Sequence, residues 1–324
     1  MVKFGKILVT GGAGFIGSHF IDFIIEKNVT DEIVVIDNLS SGSIDNIKHH
    51  IEAKKIDLVI ADLKHYDQTW ISKFKNADAV IHLAANPEVR VSSTEPRIHF
   101  NENVLATFNV LEASRVNDVT LHFFASSSTV YGDAKVIPTP ETYPLEPISV
   151  YGASKAACEV LYHSYHSLYG FSIAIARYAN IVGPRSFHGV IIDFINKLRK
   201  DPMRLEILGD GTQKKSYLYV RDAVEASFII LKLAKEVKGY HVYNIGNEDW
   251  VTVKEIADIV VEELGLKNVQ YVFKPATLDG RGWPGDVKLM LLDINKIKNI
   301  GWRPTLSSAE AIKMTVRNIL RSKS

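Results

Sequence analysis

A β-branched run at residues 6–10 leads directly into Gly11-Gly12-Ala13-Gly14-Phe15-Ile16-Gly17 and then into a helical apolar pattern over residues 15–27. This order of strand, glycine turn and helix restricts the possible folds more than any other feature of the chain. Side chains at those glycines would hold a diphosphate away from the backbone amides, and a helix N-terminus supplies partial positive charge to it. Gly12, Gly14 and Gly17 fit the spacing G-x-G-x-x-G, while Gly11, Gly14 and Gly17 fit G-x-x-G-x-x-G; spacing leaves both open. Asp37 follows twenty residues after Gly17, at the end of the next run. A carboxylate there accepts hydrogen bonds from an adenosine ribose and repels a 2′-phosphate, so NAD is expected over NADP. Its other possible role is to cap the following loop.

Further short runs at residues 56–60, 79–83, 121–125 and 172–177 alternate with helical patterns at 97–116 and 151–169. Six such strands imply an α/β fold, a Rossmann-type doubly wound parallel sheet. After Gly183-Pro184-Arg185 the pattern loosens into short helices at 190–199, 221–235, 252–264 and 308–321 with isolated strands. The expected division is a dinucleotide domain at 1–180 and a smaller, mixed substrate lobe at 181–324, with some chain crossover and a cleft between them.

Lys and Arg total 38 against 37 Asp and Glu, so no charge field favours nucleic acid as a partner. Cys158 is the sole cysteine, which excludes an intrachain disulfide. The N-terminus shows no cleavable signal, and the apolar run at 173–182 is broken by Arg177 and Asn180, far short of the roughly 20 residues a membrane span needs. A cytoplasmic protein without membrane partners is expected. His49-His50 and His163-x-x-His166 show no metal-ligand constellation by spacing, and no metal site is expected. The charges from Arg317 to Lys323 read as a solvated helix face and tail.

Tyr151-Gly152-Ala153-Ser154-Lys155 opens a helical pattern, and residues four apart share one helix face. A tyrosine ionises near pH 10, so acting as a base at neutral pH needs a shift of roughly three units, about 4 kcal/mol. One positive charge about 4 Å away supplies that much at an effective dielectric of 20. Alone, the pair is common on ordinary helices. Upstream, Ser126-Ser127-Ser128-Thr129 ends a strand at the carboxyl edge of the sheet, where doubly wound folds place ligands. One of these hydroxyls is expected to act chemically while at least two cap the turn before Val130-Tyr131-Gly132.

Thr10 to Gly17, Ser127 with Val130-Tyr131-Gly132, Tyr151-Gly152-x-Ser154-Lys155 and Arg177-Tyr178-Ala179-Asn180 together resemble the extended short-chain dehydrogenase/reductase superfamily. Within it, the chain is most similar to UDP-glucose 4-epimerases of archaeal and bacterial type, over nearly its whole length. The resemblance implies that Gly11, Gly14, Phe15, Ile16 and Gly17 bind the pyrophosphate of NAD, and Asp37 and Asn38 the adenosine ribose. Asp62 and Leu63 would border the adenine, and Leu83, Ala84, Ala85 and Asn103 the nicotinamide side. Ser127 would be the catalytic hydroxyl, Tyr151 the base, and Lys155 its electrostatic and ribose-binding partner. Nucleotide-sugar contacts would fall on Asn180, Val190, Ile191, Lys215, Tyr217, Arg281 and Asp286. The implied reaction is oxidation of a UDP-hexose at C4 and return of hydride to the opposite face. The helices at 97–116 and 151–169 would pair in a homodimer, or equally cover the sheet.

The chain departs from the family pattern in places. Pro87 stands where a basic cofactor contact is common, leaving Arg90 as a substitute; Lys215 replaces an arginine; and Arg281 lies two positions early relative to Asp286. Trp283 could stack or pack, and Met290 occupies a position that gates sugar size in related epimerases but reads first as core filler. A 4,6-dehydratase would carry Asp-Glu after the catalytic hydroxyl, where this chain has Ser128 and Thr129. UDP-glucuronate epimerase or decarboxylase is the nearer alternative, and a silent NAD-binding regulator has no need of the intact Ser127, Tyr151 and Lys155.

Overall fold

The computed structural model describes residues 3–321; Lys323, the end of the expected tail, lies outside them. The described residues of Met1–Val130, Val150–Arg177 and Val224–Tyr243 form one compact unit, and those of Tyr131–Ser149, Tyr178–Ala223 and Asn244–Ser324 form another.

A seven-stranded sheet organises the first unit. Strands β1 (Phe4–Thr10), β2 (Thr30–Asp37), β3 (Asp57–Ile60), β4 (Ala79–His82), β5 (Leu121–Ser127) and β6 (Ser172–Tyr178) match the six expected runs within a few residues. Their order is β6, β5, β4, β1, β2, β3, with Tyr240–Ile245 added beside β6 as a seventh strand. That strand was not anticipated in the sheet, because polar His241 and Asn244 interrupt its six residues and break the apolar run. The pairs β1–β2, β1–β4, β2–β3 and β4–β5 run parallel, with Ile7 opposite Ile33 on one side and Ala79 on the other. Helices cover both faces of such sheets, which is why Ile7, Leu8 and Val9 form an unbroken buried run. Strand order reverses beside β1, so the carboxyl ends of β1 and β4 bound the crevice in which this architecture places ligands.

Helix Phe15–Glu26 follows β1, and helix Val150–Tyr169 packs against β5. The pattern at 97–116 is not one regular helix. Arg97–His99 and Ala106–Val116 flank a π-helical turn at Phe100–Leu105, a distortion often found at functional sites.

The second unit is built from short strand pairs. Asn180–Val182 runs parallel to Tyr217–Tyr219, and Arg204–Leu208 parallel to Gln270–Lys274. Lys214–Lys215 lies between Val251–Thr252 and Leu289–Met290. Helices Val190–Lys200, Val253–Glu263 and Ser308–Arg321 bury Ile191, Phe194, Ile195, Ile256, Val260 and Ile312 in its core. Thr252 and Glu255 close a reciprocal capping box that starts the second of these helices. No helix of the described residues is long and apolar enough to cross a membrane.

Candidate active site

The glycine turn is packed so tightly that its spacing resolves. Gly11 has φ +70°, and a Cβ there would stand 2.7 Å from the Ala84 backbone nitrogen. A Cβ on Gly17 would stand 2.2 Å from the Gly11 carbonyl oxygen, and one on Gly14 3.1 Å from the same atom. Gly11, Gly14 and Gly17 therefore fold onto one another, whereas Gly12 faces the Val35 side chain. Helix Phe15–Glu26 begins here with no side-chain cap and no acidic residue in its first turn, which leaves its amide donors for an anion. A diphosphate fits this cradle.

Asp37 is buried, and its carboxylate accepts from the Ala13 N–H at 2.9 Å and the Leu39 N–H at 2.8 Å. Burial raises its pKa, and the two amides oppose that rise. Asp37 thus caps the following loop and braces the glycine turn, with carboxylate lone pairs left for a ribose. Asn38 Nδ2 donates to Asp62 Oδ2 at 3.4 Å, bringing two of the expected adenosine contacts together. Leu63 is buried in the core beside Trp70 and Phe74, and its carbonyl accepts from Asn109. Leu83 and Ala84 hydrogen-bond to Thr10 at the end of β1, and Leu83, Ala84 and Ala85 are half-buried. Arg90 is exposed and forks onto its neighbour Glu88.

At the end of β5, Ser126 and Ser127 point to different tasks. Ser126 Oγ donates to the buried Glu159 carboxylate. Ser127 Oγ accepts from Thr129 twice, from the backbone N–H at 3.2 Å and from Oγ1 at 2.9 Å. With both donations arriving from Thr129, the proton of Ser127 is left for its other neighbour, the Tyr151 phenol. Ser127 thus caps its turn and also faces Tyr151. A donated proton favours the phenolate. Burial nevertheless dominates and pushes the Tyr151 phenol up to about 12, with the Ser127 hydrogen bond acting against it.

Lys155 is almost wholly buried and donates from Nζ to the Ala125 carbonyl oxygen at 2.8 Å, with the Phe124 ring centroid 4.9 Å away. Burial lowers its ammonium to about 8. The expected depression of the phenol by this lysine is therefore not seen. Burial is the largest influence on both groups.

Ser92 and His82, which spacing did not mark, support the site together with the expected Asn103 and with Ser154 of the motif. The Tyr151 N–H donates to Ser92 Oγ at 3.0 Å, and Ser154 Oγ donates to the Tyr151 carbonyl. Asn103, in the π turn, accepts from the Asn86 N–H and donates to Ser154 Oγ, both at 2.8 Å. It joins the loop after β4 to the Tyr151 helix. His82 is fully buried between Thr10 Oγ1 at 2.7 Å and Thr107 Oγ1 at 2.9 Å. Burial depresses it to about 3, with the charges of Lys155 and His122 adding to the effect, so it is neutral.

The chain matches the GDP-mannose 4,6-dehydratase family over residues 8–315. A putative UDP-glucose 4-epimerase of Methanocaldococcus jannaschii is 38% identical over 96% of this chain and 97% of its own. A solved UDP-galactose 4-epimerase is 50% identical, covers 98% of this chain and 99% of that one, and superposes with a TM-score of 0.86. A Thermus thermophilus UDP-glucose 4-epimerase, solved with NAD, is 32% identical over 97% of this chain and 98% of its own, with a TM-score of 0.84. The chain is an extended short-chain dehydrogenase/reductase of the GDP-mannose 4,6-dehydratase family. It is an enzyme of the nucleotide-sugar epimerase and dehydratase group, whose other matches include a UDP-glucuronate 4-epimerase and UDP-glucuronic acid decarboxylases.

In this short-chain dehydrogenase/reductase, the second unit gathers most of the expected sugar-nucleotide residues. Lys215 Nζ meets Asp286 Oδ1 at 2.6 Å, and its ammonium lies 5.5 Å from the Trp283 ring centroid. Arg281 donates to the Asp286 carbonyl and pairs with Asp133 at 2.9 Å and Asp279 at 2.6 Å. Asn180 donates to the Ser216 carbonyl at 3.1 Å, and strand pairing sets it opposite Tyr217. Tyr217 and Ile191 are buried within the unit's hydrophobic core, with Val190 packed against it. Their side chains therefore serve packing. Met290 is buried as well, as core filler should be.

His49 and His50, which spacing dismissed, converge with Asp22 into a group of ligand atoms all within 4.8 Å. His163 and His166 remain apart, with ring centroids 6.4 Å from each other and His166 Nδ1 occupied by the Phe171 carbonyl.

Proposed function

We propose that the enzyme is an NAD-dependent UDP-glucose 4-epimerase, interconverting UDP-glucose and UDP-galactose. The observation that carries this reading is the directed hydroxyl chain Thr129 to Ser127 to Tyr151, with no carboxylic acid in it. A dehydratase must also protonate and remove the leaving hydroxyl, and Ser128 and Thr129 stand where an acid pair would do so.

Bound NAD would supply the acceptor, and then the donor, of the hydride at C4 of the sugar. The chain's own residues handle the matching proton. Tyr151 would accept the O4 proton, directly or through Ser127, once added positive charge, such as that of a bound nicotinamide, offsets the burial that holds its phenol up; the hydrogen bond from Ser127 acts in the same direction. Lys155 supplies positive charge one helical turn along, and at about 8 its ammonium is mostly protonated at neutral pH. Gly11, Gly14 and Gly17 admit the pyrophosphate, and Asp37 takes the ribose. In the second unit, Lys215, Arg281, Asp286 and Asn180 hold the nucleotide end of the substrate. Inversion then requires the 4-keto sugar to present its other face before reduction.

The test is purified enzyme with UDP-glucose and with UDP-glucuronate, followed by NMR. Formation of UDP-galactose without accumulating NADH is the expected result. Stoichiometric NADH, or reaction with UDP-glucuronate alone, would replace this reading with an oxidoreductase, a glucuronate epimerase or a decarboxylase.

The same reading includes a homodimer. Phe100 and Phe108 in the 97–116 segment and Val160 and Leu168 on helix Val150–Tyr169 are large apolar side chains left exposed, which a second copy would cover. Light scattering should give twice the chain mass. A cytoplasmic setting suits the buried, unpaired thiol of Cys158.

A further inference from the structure

We infer that Asp22, His49 and His50 form a binding site for a divalent transition ion of the zinc type, separate from the reacting groups. Asp22 lies on helix Phe15–Glu26, and the two histidines lie on helix Lys48–Glu52. His50 Nε2 is 2.7 Å and His49 Nε2 3.6 Å from the same oxygen, Asp22 Oδ1.

Neighbouring residues on a helix point about 100° apart, so two consecutive side chains do not ordinarily share a target. Here the two rings lie with centroids 3.8 Å apart and both reach one carboxylate. A tetrahedral ion with bonds of about 2.0–2.1 Å holds its ligand atoms roughly 3.3 Å from one another, between the two distances observed. All three ligand atoms already lie within 4.8 Å of one another, so an ion would draw them together by side-chain adjustment.

The donor chemistry narrows the ion. Two imidazole nitrogens and one carboxylate suit zinc, cobalt or nickel, whereas magnesium and calcium prefer oxygen throughout. His50 is mostly covered and His49 is 56% exposed, so the group has a sheltered side and an open one where water can fill the coordination shell. His19 Nδ1 stands 4.0 Å from the second Asp22 oxygen, one turn back on the same helix and beyond hydrogen-bond distance.

The position gives the site a consequence. Just before the histidines, the Ser43 N–H and Asn46 Nδ2 both donate to the Ala13 carbonyl of the glycine turn, at 3.0 and 2.8 Å. An ion joining Asp22 to His49 and His50 would clamp this segment and the helix whose N-terminus faces the pyrophosphate into one body.

The test uses full-length, tag-free protein stripped with chelator and titrated with Co²⁺, then with Zn²⁺. One equivalent of Co²⁺ should bind with intense visible bands of low-coordinate geometry, displaced by Zn²⁺, and Zn²⁺ should raise the melting temperature. His49→Gln, His50→Gln and Asp22→Asn should each weaken binding by at least about tenfold, the loss that even an outer partner of a metal ligand causes. His49 is exposed, so its replacement leaves the fold intact and keeps the test decisive. His163→Gln should change nothing. Equal Co²⁺ affinity in wild type and the His49→Gln/His50→Gln double variant, or binding lost with His163→Gln, would overturn the assignment.

Discussion

Arg177 and Glu159 meet edge to edge, Nε to Oε1 at 3.0 Å and Nη2 to Oε2 at 2.6 Å, with both side chains more than nine-tenths buried. Glu159 is four residues beyond Lys155 and eight beyond Tyr151, on the same face of their helix. Ser126, next to Ser127, donates to the same carboxylate. One ion pair thus ties β6, the end of β5 and the Tyr151 helix into a fixed register. Removing one partner strands a buried charge, at a cost of about 3–5 kcal/mol. Arg177→Met should lower the unfolding free energy extrapolated from urea titration by that much, and Arg177→Met/Glu159→Leu by distinctly less. Equal losses in the two variants would show that packing, and not the stranded charge, carries the effect.

Tyr151→Phe removes the proton acceptor while leaving the glycine turn untouched. Turnover should fall by roughly 10²–10⁴, the range a positioned acid or base contributes, with bound dinucleotide retained in the purified protein. Ser127→Ala should raise the phenol's pKa further, because it deletes the hydrogen bond that opposes burial. NMR of labelled tyrosine would follow that ionisation, and a downward shift would contradict the direction assigned to the hydroxyl chain.

Gly17→Ala would drive a methyl group to 2.2 Å from the Gly11 carbonyl oxygen. The turn must open, at about 1–3 kcal/mol for an overpacked site. The expected product is a folded protein with little dinucleotide, read from the absorbance ratio and from calorimetric titration with NAD. Undiminished NAD affinity would place the pyrophosphate elsewhere.

His82 predicts how the fold responds to acid. Its pKa is depressed from 6.5 to about 3, chiefly by burial, and that of His122 to about 4 by the same cause. The unfolded chain takes up these protons near pH 6.5 and the folded chain resists, so stability present above pH 6.5 is lost as the pH falls toward 3. Urea midpoints measured across this window should drop more steeply for wild type than for His82→Asn, which keeps hydrogen bonding to the two threonines but cannot charge. Parallel slopes would mean that His82 does not govern the acid limb.

Lys215 separates binding from chemistry. Replacement by Met removes a charge-assisted contact worth about 1.5–3 kcal/mol. The KM for UDP-glucose should rise roughly ten- to hundredfold with kcat little altered, since one such step per 1.4 kcal/mol falls on binding alone. An unchanged KM would remove Lys215 from the nucleotide site.

Most of the first unit was legible because its physics is local. A β-branched run, three glycines and an acid at fixed spacing leave little choice about β1, the turn after it and Asp37. The limits were equally physical. Tyr240–Ile245 joins the sheet through partners distant in sequence, and its apolar residues are interrupted by His241 and Asn244. The π turn at Phe100–Leu105 follows an apolar period that reads as ordinary helix, so the orientation of Asn103 could not be foreseen. Spacing placed Tyr151 and Lys155 on one face but could not weigh their desolvation, which reversed the expected shift of the phenol. His49 and His50 were dismissed because their third member, Asp22, lies on a different helix.

The seventh strand also has a consequence for synthesis. Tyr240–Ile245 completes the sheet, yet the ribosome makes it only after residues 178–223, which belong to the other unit. The dinucleotide half therefore emerges with β6 as an open, hydrogen-bond-hungry rim and stays so while dozens of unrelated residues follow. Nascent chains halted in that interval should be the ones most prone to clump and most dependent on chaperones.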